Sequence, residues 1–114
     1  MTEPLCLDEL DDTALDSLPF GVIRLGPTGL VERFNRAESE RAGIQRWRAL
    51  GRDYFREIGD RDLAAQVDAV PRGERTRVYH TFKGFHRIDD AVIEVSRCPE
   101  GRVYLCIRPT SRPM

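Results

Sequence analysis

Apolar and polar residues follow two rhythms along this chain, one of three to four residues and one of two. The first governs the N-terminus. Leu7, Leu10, Ala14 and Leu18 recur at steps of three and four with carboxylates between them, which predicts an amphipathic helix of about three turns. Pro19 closes it, because the residue before a proline avoids the helical region. So short a helix does not hold itself together in water, and its apolar stripe needs a surface to cover. Residues 20–25 and 30–34 are rich in strand formers and flank Gly26-Pro27-Thr28-Gly29, the pattern of a β-hairpin. Asn35 then fits the N-cap of a helix over 36–42, with Glu38 placed to complete a capping-box pair and Gly43 to end it. One helical turn is expected over 45–50 and another over 53–58, where Tyr54, Phe55 and Ile58 are the apolar positions. Leu63, Ala64, Val67 and Val70 mark a longer amphipathic helix stopped by Pro71 and Gly73.

The last third alternates. Val78, His80 and Phe82 share one face of a strand over 76–85, with Tyr79 and Thr81 on the other. Ala91, Ile93 and Val95 oppose Val92, Glu94 and Ser96, and Val103, Leu105 and Ile107 oppose Tyr104, Cys106 and Arg108. Two short turns join these strands antiparallel. The expected fold class is α+β, a single domain with a five-stranded antiparallel sheet, short helices on one face and an N-terminal cap helix. The second face of the sheet then needs a cover, and the cap or another copy of the chain is the obvious one.

Length and charge sharpen this picture. With 114 residues, against about 100–150 for a typical domain, the division expected is a cap at 1–19, a core at 20–109 and a disordered tail at 110–114. On that division no further domain is expected within these 114 residues. Residues 1–19 hold Glu3, Asp8, Glu9, Asp11, Asp12 and Asp16 and no Lys or Arg, a segment charge of −6. Against a net charge of −1, the rest of the chain carries +5, and only Lys83 of its cations is a lysine. A body so weakly and evenly basic does not suggest nucleic acid as a partner. It does suggest that the acidic segment lies against the body. No apolar run approaches the roughly 18 residues that span a bilayer, and the N-terminus lacks a signal-peptide pattern, so the expectation is a cytoplasmic domain with no membrane insertion.

Candidate chemistry is sparse. Cys6, Cys98 and Cys106 are odd in number and lack metal-ligand spacing, which reads as small buried or half-buried thiols with no metal. Asp60 with Asp62 and Asp89 with Asp90 fall in turn-like segments, and Ser17, Ser39 and Ser96 have no nucleophile-elbow setting. No phosphate-cradling glycine loop is present. No catalysis is expected.

Three stretches resemble the PAS domain family, and within it the photoactive-yellow-protein-like branch. They are Leu18-Pro19-Phe20-Gly21-Val22-Ile23-Arg24-Leu25, then Gly29-Leu30-Val31-Glu32-Arg33-Phe34-Asn35-Arg36-Ala37-Glu38, then Gly51-Arg52-Asp53-Tyr54-Phe55-Arg56-Glu57-Ile58. The resemblance extends over about residues 7–108 and implies the PAS fold and a signalling role. It also implies what is missing. In the photoactive yellow proteins the third stretch runs into a Pro-Cys pair carrying a p-coumaroyl chromophore, held by a Tyr and a Glu. Here Ile58 leads into Gly59-Asp60-Arg61, the Tyr position is Phe34, and only Glu38 is retained. The flavin-binding cysteine motif is absent, and the stretch Leu63 to Val70, where heme-binding relatives place a histidine, has none. The expected cofactor is therefore none. His80 reads as a core or edge histidine and His86 as a solvated turn residue.

Two functions follow from the resemblance. The first is a signalling module that contacts itself as a homodimer, or another signalling protein, through Leu7, Leu10, Ala14, Leu18, Tyr79 and Tyr104. The second is a small-molecule sensor with an internal pocket lined by Phe34, Glu38, Tyr54, Phe55, His80 and Phe82.

Overall fold

The computed structural model describes residues 6–59, 61–83 and 88–110. Its sheet comprises β1 (Gly21–Leu25), β2 (Val31–Phe34), β3 (Arg75–Lys83), β4 (Ile88–Arg97) and β5 (Val103–Pro109) in the order β2-β1-β5-β4-β3, every neighbour antiparallel. The period-two stretches thus form the strands expected, except that β4 begins at Ile88 and takes in Asp89 and Asp90, read from sequence as turn residues, which pair with Phe82 and Thr81 of β3. The first five residues of the cap, His86 and the tail beyond residue 110 lie outside the described residues.

One face of the sheet carries Ile23, Val78, Ala91, Ile93, Val95, Val103, Leu105 and Ile107. The helices close over it: α2 (Arg36–Ala42), α3 (Arg46–Ala49), a π-helical turn (Tyr54–Ile58) and α4 (Arg61–Asp68). Leu63 and Val67 of α4, Ala49 of α3 and Tyr54 complete this core. Gly43 ends α2 in the left-handed region at φ 70°, where a side chain would be strained. The end of α4 is held by Arg97, whose guanidinium donates to the carbonyls of Val67 and Val70 and to that of Gly101 in the β4–β5 turn.

The cap differs from expectation. Its helix, α1 (Asp12–Asp16), has five residues rather than about three turns. Asp11 is the reason: its carboxylate accepts from the Ala14 N–H and starts the helix there. Upstream, the chain makes a single turn from Leu7 to Leu10, and its carbonyls turn to Arg33 instead. Leu15, outside the predicted stripe, is the fully buried cap residue, while Leu7, Leu10 and Leu18 pack partly buried around it and Ala14 stays out of the cluster. This second cluster covers Val22, Tyr104 and Cys106 on the sheet face opposite the helices, so the identity of the outer face is settled.

Candidate functional site

Asn35 joins the two layers. Its side-chain oxygen accepts from the Glu38 N–H, capping α2, and from the Val22 N–H of β1. Its amide nitrogen donates to the Leu15 and Phe20 carbonyls, tying the cap and its linker to the core. The reciprocal half of the capping box is not made. The Asn35 N–H pairs with the Val22 carbonyl, and Glu38 turns inward, fully buried, against Arg41. A β-carbon on Gly21 would collide with the Glu38 carboxylate, so the pair depends on a glycine in β1. Burial pushes the Glu38 carboxyl above its ordinary range, and Arg41 only partly opposes this.

The proposed pocket set falls into two parts. Phe34 and Tyr54 are buried in the main core, and Phe55 packs edge-on to Tyr54 with ring centroids 5.3 Å apart. Glu38, Phe82 and His80 form a connected row: the Arg41 guanidinium pairs with Glu38 and lies 4.2 Å over the Phe82 ring, which meets His80 edge-on at 4.7 Å. Arg41 links this row and was not singled out from the sequence. Its position three residues after Glu38, on the same helix face, was the available signal.

The proposed interface set also divides. Tyr79 is 73% exposed on the outer face of β3, opposite Val92 of β4. Tyr104, expected at the surface, is instead buried beneath the cap. Its hydroxyl donates to Asp8 and accepts from Arg33. Asp8 also takes Arg24 at 3.1 Å and Arg102 at 2.8 Å, Asp12 takes Arg33 and Asp16 takes Arg46. The acidic segment does lie against the arginine-bearing body. Burial raises the Asp8 carboxyl, but the Tyr104 hydrogen bond and the two arginines outweigh it and hold the group below its ordinary range. Burial, reinforced by Asp8, pushes Tyr104 above its own.

The cysteines require a correction. Cys6 and Cys98 are not separate thiols: a disulfide joins them, with α-carbons 5.6 Å apart, and ties the start of the cap to the end of β4. Cys106 lies outside this disulfide and is buried. Asp8 and Glu100 bring their carboxylates close to this pair, the four ligand atoms lying within 4.8 Å of one another. Arg102 donates to both carboxylates, so a guanidinium stands where a metal cation would compete. The counting of cysteine and histidine spacings missed this cluster because Cys6 and Cys98 are 92 residues apart.

No family model matches the chain. It is 34% identical over 69 residues to photoactive yellow protein of Rhodothalassium salexigens, a match that takes in 60% of this chain and 51% of that protein. The chain thus spans about half the length of the curated relative it matches. Among solved structures, it superimposes on the photoactive yellow protein domain of the sensor histidine kinase Ppr from Rhodospirillum centenum with a TM-score of 0.73 and 22% identity, covering 90% of this chain and 96% of that one. The PAS domain of an HTR-like protein from Haloarcula marismortui gives a TM-score of 0.72 and 15% identity, with coverages of 87% and 93%.

Proposed function

We propose that this chain, which has the fold of the PAS domains, is a sensory signalling module that works by protein–protein contact and has no catalysis of its own. Its working surface is the outer sheet face together with the N-terminal cap. The observation that carries this reading is the incomplete cover of that face. The cap buries Val22 and Tyr104, whereas β3 leaves Tyr79 exposed beside half-buried Val92. An aromatic ring on the outside of a sheet is the kind of anchor that interfaces use. The likeness to a domain of a sensor histidine kinase supports a role upstream of a separate effector. Among the described residues no helix is long and apolar enough to cross a membrane.

In this reading a second copy of the chain, or another signalling protein, docks on β3 and β4. Sedimentation velocity tests the self-association. The wild-type chain is expected to dimerise with rising concentration, and Tyr79→Glu to weaken the dimer at least tenfold. A strict monomer, unchanged by Tyr79→Glu and by polar replacement of Leu10 and Leu18, overturns it.

A second reading, a small-molecule sensor in the helical layer, is favoured by the buried Glu38–Arg41 pair beside Phe82 and His80. Native mass and absorbance of the purified chain discriminate: an added few hundred daltons or a visible band supports the sensor, and a clean chain mass removes it.

A further inference from the structure

The cap does not lie flat on the sheet. Between the two is a cavity of about 270 Å³ on the face opposite the helical layer. Strand register builds its floor: Arg75, Ser96 and Tyr104 form one row across β3, β4 and β5, and Glu94 and Cys106 the next. Leu7, Leu10, Leu18 and Phe20 roof it. The arch follows from the chain's own constraints. The Cys6–Cys98 bond and the Asp8–Tyr104 contact anchor the cap at its start, and Asn35 anchors it at Leu15 and Phe20. The five-residue helix between these anchors supplies too few side chains to fill the space beneath.

One polar group in this cavity stands out. Ser96 is only 5% exposed and lies on the cavity floor. A hydroxyl in a wall that is otherwise mainly apolar can donate to or accept from a bound molecule. The charged groups on the floor, Arg75 and Glu94, pair with each other at 3.7 Å, and Glu9, which also lines the cavity, is exposed to solvent.

We propose that this cavity under the cap binds a small, uncharged, mainly apolar molecule that hydrogen-bonds to Ser96. An apolar cavity of about 150 Å³ takes up benzene, so 270 Å³ holds roughly ten heavy atoms, the size of a bicyclic aromatic. The site is distinct from the helical-layer row of Glu38, Arg41, Phe82 and His80. Because the cap forms its roof, occupancy ties ligand binding directly to how the cap sits. The proposal does not rest on self-association: a monomer that binds here keeps it, and a dimer that does not loses it.

Indole is the probe, titrated into the full chain and followed by proton–nitrogen correlation spectra, with indole-3-acetate as its charged counterpart. Saturable shifts at Ser96, Tyr104, Cys106 and the cap amides are expected for indole and none for the acetate. Ser96→Ala should weaken binding about fivefold. Leu10→Trp, which fills the cavity from the half-exposed cap, should abolish it while the sheet resonances keep their dispersion. The proposal is overturned if indole produces no saturable shift, if its shifts fall on Phe34, Tyr54 and His80, or if Ser96→Ala binds as tightly as wild type.

Discussion

Asn35 shows how much one side chain carries in a small domain. Each of its four hydrogen bonds reaches a different stretch of chain: Val22, Glu38, Leu15 and Phe20. Asn35→Ala removes a helix cap and strands buried backbone groups, so it should cost about 2–4 kcal/mol, read from urea denaturation. Glu38 makes the opposite kind of contribution. Its folded form holds a proton to higher pH than the unfolded chain does. The native state therefore binds more protons than the unfolded state across that window, and stability falls as pH rises through it. Glu38→Gln removes the effect. Denaturation midpoints of the two proteins should converge or cross in the variant's favour as pH rises from 4.5, the ordinary glutamate value. A constant difference from pH 4 to 8 would refute this account of the pair. The capping pattern at Asn35 was legible locally. The inward turn of Glu38 was not, because it is set by Gly21 on another strand.

Among the elements, the strands were readable and the cap only half so. Alternation over β3, β4 and β5 repeats often enough to fix which residues share a face. The cap's stripe ran across an N-cap residue, Asp11, whose local hydrogen bond outweighs the apolar periodicity. Its anchors were invisible to any local pattern, since Asp8 meets Tyr104 across 96 residues. The exposed ion pair of Asp12 with Arg33 contributes at most about 1 kcal/mol and is screened by salt. Burying Leu15 contributes roughly 1.5–3 kcal/mol, so apolar packing holds the cap and the charges orient it. Tyr104→Phe keeps that packing and deletes the hydroxyl shared by Asp8 and Arg33. Hydrogen exchange should accelerate several-fold over residues 6–18 and stay unchanged in β4 and β5. Reducing the Cys6–Cys98 bond should add to the effect over residues 6–10. Uniform acceleration through the sheet would mean that the cap is not a separate unit.

At the scale of the whole molecule, the near-zero net charge conceals a contact between an acidic cap and an arginine-rich body. That contact governs which parts of the outer face remain open. Among the described residues two exposed aromatic rings compete as docking surfaces. One is Tyr79 on β3, and the other is Trp47 with Leu50 beside α3. Tyr79 continues the face that the cap begins to cover, whereas Trp47 lies across the molecule among charged residues such as Arg36 and Glu40. A dilution series followed by proton–nitrogen correlation spectra decides between them. The account predicts concentration-dependent shifts at Tyr79, Thr81, Val92 and the cap, with Trp47 and Leu50 unmoved. Shifts centred on Trp47 and Leu50, or none up to millimolar concentration, would contradict it.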